Sequence, residues 1–215
     1  MMLKVWGRDT SINVQKVLWA LDELSLPYER IDAGGAFGGL DTPEYATLNP
    51  NRKIPVLEDG DYSVWESGAI IQYLADAYGA GRLWPENVKQ RALVSQWARW
   101  CHINVYSDLI VGAFQPLIRV TAAERDDAAV AAAAGRVGKS FEILDPALHG
   151  HDFLVGNQLS VADIEIGTLL HRYFTMPIGR PDLPNVAAWY ERLSTRPAYR
   201  KHVMQDWTLM KIPGA

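Results

Sequence analysis

Apolar positions along the chain fall into two regimes. In the first, Val14, Val17, Leu18, Leu21 and Leu24 recur at the spacing of one helical face, and Pro27 closes the run. Leu3 to Trp6, bounded by Gly7, reads as a strand before that helix, and Tyr28 to Ile31 as a strand after it. Strand, helix, strand at this length implies a parallel pair joined by a right-handed crossover. Ala33 to Asn51 is rich in Gly, Pro and Asn and reads as an irregular connection, with one turn of helix near Pro43 to Thr47. Ile54 to Leu57 and Tyr62 to Trp65 then flank Asp59-Gly60, a strong hairpin signal. A second helix is expected from Glu66-Ser67, with Ile70, Ile71, Leu74, Ala77 and Tyr78 on one face.

From Pro85 onward the pattern is helical throughout. Leu93, Trp97, Trp100 and Ile103 make one stripe and Val130, Ala134, Val137, Phe141 and Leu144 another, and both are expected to be core seams. Thr121 with Glu124, and Ser160 with Asp163, each pair a hydroxyl with a carboxylate three residues on, so each predicts a helix start. Val161 to Phe174 is apolar most of the way round and predicts a buried central helix. Asn185 and Pro197 are expected to open the last two helices. The chain thus reads as an α/β unit, βαβ-ββα, over residues 1–80, followed by an all-helical domain over residues 86–215.

Charge sharpens that division. The whole chain of 215 residues has a formal net charge of −4. Residues 1–80 carry 6 basic and 12 acidic side chains, while the remainder is slightly basic. A globally basic nucleic-acid binder is excluded. One cysteine, Cys101, permits no intrachain disulfide, and the first 20 residues are interrupted by Lys4, Arg8, Asp9 and Lys16, so no secretory leader is expected. A protein with no membrane span and a cytoplasmic location is the expectation. Gly34-Gly35-Ala36-Phe37-Gly38-Gly39 lacks dinucleotide-loop spacing, and Leu40 stands where a phosphate loop needs Lys, so this segment reads as a plain loop. His149 and His151 have no third ligand nearby in sequence, and no metal site is expected.

Four motifs in order then carry a resemblance that spans the chain: Thr10-Ser11-Ile12-Asn13, Asn49 to Leu57 with Pro55, Trp65-Glu66-Ser67-Gly68-Ala69-Ile70, and the Ser160 to Asp163 cap. With them the sequence resembles the cytosolic glutathione S-transferases, of the serine-type, theta-like bacterial kind. The resemblance implies a thioredoxin-like N-terminal domain that holds glutathione and a helical domain that supplies most of the pocket for a small hydrophobic electrophile. It also implies a homodimer.

Residue by residue, the resemblance makes Pro55 a cis-proline that exposes the Ile54 backbone to the cysteinyl part of glutathione. Glu66 and Ser67 match the γ-glutamyl clamp, and Lys53 matches the position that meets the glycyl carboxylate. Arg52 and Lys53 are two of only six cations in an acidic half, so together they are the expected anion site, although Arg52 replaces the glycine common at its place. The nucleophile is the ligand's own thiol, which at a pKa near 8.5 is only a few per cent ionised at pH 7. Lowering it by about 2 units requires about 2.7 kcal/mol. One hydroxyl donating to the sulfur, at about 1.5 to 3 kcal/mol, together with a helix N-terminus at about 0.3 to 1 kcal/mol, is enough. Alignment on Lys16-Val17 assigns that donor to Ser11, with Thr10 as fallback and Asn13 as an assisting group.

No tyrosine or cysteine occupies the donor position, and Cys101 is expected to be an inert, packed thiol. Tyr106, Phe114, Met176 and Trp207 are candidates for the electrophile pocket by domain analogy and are equally compatible with core. The expected activity is glutathione conjugation. Two alternatives stay open: a glutathione-dependent disulfide reductase or peroxidase, suggested by Asn13 beside Ser11, and a non-catalytic ligand-binding or interaction protein.

Overall fold

The computed structural model describes residues 2–215. Its first half contains β1 (Leu3–Trp6), α1 (Ile12–Leu24), β2 (Tyr28–Ile31), α2 (Pro43–Leu48), β3 (Val56–Asp59), β4 (Tyr62–Trp65) and α3 (Ser67–Tyr78). The four strands form one sheet in the order β2-β1-β3-β4. β1 runs parallel to β2, with Leu3 opposite Tyr28, and antiparallel to β3, with Val5 opposite Leu57; β3 and β4 close the Asp59-Gly60 hairpin. Alternation along the strands divides the sheet's two faces. Leu3, Val5 and Leu57 join the main core with α1 and α3, whereas Trp6 and Val56 pack with Tyr45 of α2 in a second, smaller cluster.

All five residues of the α1 stripe are buried, as the spacing predicts. On α3, Ile70, Ile71 and Leu74 are buried while Ala77 and Tyr78 are exposed, because the last turn runs past the edge of the core. β3 begins two residues later than expected. Ile54 and Pro55 lie before it, joined by a cis peptide bond, and Pro55 has no N–H with which to extend the ladder.

The helical half comprises α4 (Val88–Cys101), a π-helical stretch (His102–Phe114), α5 (Gln115–Arg119), α6 (Asp127–Ala147), α7 (Val161–Thr175), α8 (Pro184–Ser194) and α9 (Pro197–His202). α4 runs into the π stretch without a break, and the Gln115 N–H reaches back five residues to the Ile110 carbonyl. The inward face of α4 is not the predicted Leu93 to Ile103 stripe but lies one position further round. Leu93 is 46% and Ile103 74% exposed, Trp97 and Trp100 are half-buried, and the buried positions of α4 are Val94 and Cys101. The α6 stripe, by contrast, is buried throughout.

Thr121 does not start a helix. Its hydroxyl donates to Glu124 at 2.7 Å within a turn, and α6 begins at Asp127, capped by Asp126, whose carboxylate accepts from the Ala129 N–H. Ser160 and Asp163 do form the expected capping box. α7 is buried on nearly every side and packs against α1, α3 and α4, so it ties the sheet layer to the helices. Among the described residues, no helix is long and apolar enough to cross a membrane.

Candidate active site

Between the sheet layer and α4 lies a cleft of about 810 Å³. α1 contributes Asn13 and Lys16, the loop before β3 contributes Lys53, Ile54 and Pro55, and α3 opens onto it with Glu66, Ser67 and Gly68. Arg99, His102 and Tyr106 face them from α4 and the π stretch, and Glu165 from α7. Residues chosen from three separate sequence motifs therefore share one cavity.

The loop before β3 is held by its own side chains. Asn49, buried, donates through Nδ2 to the Lys53 carbonyl at 2.8 Å and accepts from the Asn51 N–H at 2.9 Å, an Asx turn. The Tyr45 hydroxyl donates to the same Lys53 carbonyl at 2.8 Å, and burial pushes its pKa up to about 12, which keeps it a donor. Beyond this clasp, neither the N–H nor the C=O of Ile54 makes a backbone hydrogen bond among the described residues. A free donor and acceptor, side by side at the cleft wall, suit an extended peptide ligand.

Arg52 does not join Lys53 as an anion site. It adopts φ 52°, and its guanidinium turns outward to the Asp41 carbonyl at 2.8 Å. A glycine reaches that backbone conformation without a Cβ clash, and Arg52 reaches it with its side chain committed to Asp41. Of the two, Lys53 lines the cleft.

At the head of α3, Glu66 is the N-cap residue with φ 72° and ψ 116°, a region that costs a non-glycine residue about 1–3 kcal/mol. Strain of this kind persists where the surroundings impose it. Here it exposes the Glu66 carboxylate and leaves Ser67, 8% exposed, as the first residue of the helix with its hydroxyl unbonded among the described residues. Free N–H groups and the helix dipole at this end favour a carboxylate.

Behind Ser67 lies an ion pair for which the sequence motifs give no warning. Lys16 Nζ and Glu165 Oε2 are 2.5 Å apart, and both side chains are buried. Burial alone would lower the Lys16 pKa, but the Glu165 charge and hydrogen bond outweigh it and hold the ammonium above its ordinary range. A Cβ on Gly68 would sit 2.8 Å from Glu165 Oε1, so only glycine lets this carboxylate approach the first turn of α3. The signal in the sequence is Glu165, a carboxylate on a helix that is apolar most of the way round.

Ser11 is the N-cap residue of α1, with φ −76° and ψ 124°. Its hydroxyl makes no capping bond, and its carbonyl accepts from the Gln15 N–H at 2.9 Å. Ser11 and Thr10 stand outside the residues that line the cleft; Asn13 is among them, and its Nδ2 donates to the Tyr106 hydroxyl at 3.2 Å. Of the four residues considered for the electrophile pocket, Tyr106 lines the cleft, whereas Phe114, Met176 and Trp207 are buried in the core. Cys101 is 1% exposed, and burial raises its thiol pKa well out of the reactive range. His149 and His151 are both exposed, and no group of three or more His, Cys, Asp or Glu suited to a metal occurs among the described residues.

Comparison with known proteins gives this cleft a context. The family model described as glutathione S-transferase, N-terminal domain, matches residues 1–76, and the C-terminal domain model matches residues 101–197. Glutathione S-transferase GstB of Escherichia coli is 38% identical over 94% of this chain and 98% of its own. Glutathione S-transferase 4 of Zea mays is 30% identical over 93% and 91%. Among solved structures, the theta class glutathione S-transferase of Xanthomonas axonopodis pv. citri with glutathione bound superposes with a TM-score of 0.89. It is 41% identical and covers 96% of this chain and 99% of its own. Fold, cleft and relatives agree: the chain belongs to the glutathione S-transferase family.

Proposed function

We propose that this chain is a glutathione transferase that adds the glutathione thiolate to a small electrophile. The observation that carries this reading is the convergence, on one cleft, of Lys53 and the Ile54 backbone, both without partners among the described residues, and the Glu66-Ser67 helix head. Each group suits one part of the tripeptide. Lys53 meets the glycyl carboxylate, the Ile54 N–H and C=O pair with the cysteinyl unit, and Ser67 with the free amides of α3 takes the γ-glutamyl carboxylate while Glu66 faces its amine. The pull of three anchors orients the cysteinyl sulfur toward the head of α1.

There the Ser11 hydroxyl, spent on no capping bond, donates to the sulfur. With the α1 N-terminus it favours the thiolate, and the released proton goes to solvent. Thr10 is the fallback donor. The thiolate then attacks the electrophilic carbon, a C–S bond forms, and the leaving group departs with its electron pair. Residues 1–80 are assigned to glutathione and residues 86–215 to the electrophile, with a homodimer as the working form, a cytoplasmic location and a detoxifying role.

A second reading, glutathione-dependent disulfide or peroxide reduction, is favoured by one observation: Asn13, not Ser11, lines the cleft. Parallel assays with a chloronitroaromatic and a small disulfide separate the two. Conjugation faster than reduction, lost in Ser11→Ala, is the expected result. Reduction alone, lost in Asn13→Ala, would replace the transferase reading, and glutathione binding without either activity would favour a non-catalytic role.

A further inference from the structure

The helical domain holds the head of α1 on both sides of Ser11. Before it, Arg172 of α7 donates through Nη2 to the Thr10 carbonyl at 3.1 Å. After it, Asn13 donates through Nδ2 at 3.2 Å to the hydroxyl of Tyr106, which stands on the π stretch. Two contacts from the second domain thus bracket the N-cap of the helix on which the proposed thiolate depends.

Tyr106 is half-buried, and its ring is held on two sides. His102 stacks on it, with ring centres 5.6 Å apart and planes 28° from parallel, and the Lys16 ammonium lies 5.4 Å from the ring centre. The hydroxyl oxygen accepts from Asn13, while its own hydrogen goes to no acceptor among the described residues. A phenol accepts and donates at once, so Tyr106 keeps one donor for whatever occupies the cleft. Its position says what that is. Ser67, Ser95 and Tyr106 are the hydroxyl-bearing side chains that line the cleft. Ser67 heads α3, at the proposed γ-glutamyl end, and Ser95 lies near the middle of α4. Tyr106 is the one of the three hydrogen-bonded to α1, through a residue two places past Ser11. The three anchors direct the cysteinyl sulfur to that same helix head.

We infer that Tyr106 is a second hydrogen-bond donor to the glutathione sulfur, so that the thiolate is held between Ser11 of the first domain and a phenol of the helical domain, with Asn13 positioning that phenol. This rests on the transferase reading above and deepens it, because the domain assigned to the electrophile also helps to make the nucleophile. A donor binds an anion more strongly than a neutral thiol, and so favours ionisation. The thiol proton leaves to solvent, the sulfur keeps the electron pair, and Tyr106 retains its own proton while sharing it with the anion. When that pair forms the C–S bond the sulfur loses its charge, the hydrogen bond weakens, and Tyr106 ends the step as it began it.

Tyr106→Phe removes one oxygen and leaves the ring, and the pH titration of the bound thiol in the protein–glutathione complex reads its effect. The variant should raise the bound thiol by about 1 unit, and Ser11→Ala/Tyr106→Phe should bring it close to the free value. Asn13→Ala should shift it in the same direction and add nothing in the Tyr106→Phe background. Conjugation of a chloronitroaromatic by Tyr106→Phe should fall about tenfold near pH 6 and converge on wild type above pH 9, as thiolate forms without help. Melting temperature and glutathione affinity check that each variant is folded. An unchanged bound thiol in folded Tyr106→Phe, beside a lowered one in wild type, would overturn the inference and leave the transferase reading intact. A rate loss equal at every pH would also overturn it, by assigning Tyr106 to the electrophile. A wild type that neither lowers the thiol nor conjugates would sink the transferase reading and this inference together.

Discussion

Lys53 and Arg52 are neighbours in sequence with opposite fates, and the difference is measurable. Lys53→Ala should weaken glutathione binding severalfold, because an exposed cation facing a carboxylate contributes modestly. Arg52→Ala should leave it within about twofold, since its guanidinium is turned to Asp41; equal losses by titration calorimetry would contradict this assignment. The Lys16 and Glu165 pair makes a sharper demand. Lys16→Met leaves a buried carboxylate unpaired and should cost about 3–5 kcal/mol in urea unfolding, while Lys16→Met/Glu165→Leu should recover most of it. If the double variant is as unstable as the single, the buried pair does not account for the loss. These residues also mark what was legible. Lys53, Ile54, Glu66 and Ser67 sit in short local motifs that state their own chemistry. The partner of Lys16 lies 149 positions away, and Arg172 meets Thr10 across 162, so only the fold joins them. Even so, each lone charge on α7 was visible as an anomaly in an apolar helix.

At the scale of elements, helix starts were read well where a cap closes on its own backbone and poorly where it does not. Asp163 accepts from the Ser160 N–H and hydroxyl at 2.8 and 2.6 Å, and from the Leu154 N–H at 2.9 Å, so α7 starts where the pattern says. Thr121 spends its hydroxyl on the Glu124 carboxylate instead, and the helix waits for Asp126. The α4 stripe failed for a different reason: the face that turns inward carries Val94 and Cys101, one position on from Leu93 and Trp100. The α7 cap also carries a pH signature. Burial, opposed by its hydrogen bonds, pushes the Asp163 carboxyl up from its ordinary 3.8 to about 6. Folding raises this pKa, so the native state holds the proton more tightly; this group adds stability as pH falls from about 6 toward 4 and loses it as pH rises through 6. The stability gap between wild type and Asp163→Asn should therefore widen by about 1–3 kcal/mol over that window. A gap that is flat or narrows on acidification would show that Asp163 titrates at its ordinary value.

Across the whole molecule, the division at the end of α3 organises both charge and chemistry. An acidic sheet layer contributes Lys53 to the cleft, with no carboxylate within 4.0 Å among the described residues, and the helical half contributes Arg99 opposite it. Leu93 on α4 and Ile103 at the cleft, expected inside and found exposed, suit burial between two copies. Sedimentation should accordingly give twice the chain mass of 24.0 kDa, and Leu93→Asp/Ile103→Asp should return the monomer; a wild-type monomer would exclude this face as an interface. All of this chemistry depends on the cleft making a thiolate from the ligand's own thiol. The most direct measurement is the pH titration of thiolate ultraviolet absorbance in the protein–glutathione complex, for wild type and Ser11→Ala. The account predicts a bound thiol about 2 units below its free value, shifted back by about 1–2 units in Ser11→Ala. A bound thiol that titrates at its free value in the wild type would contradict it.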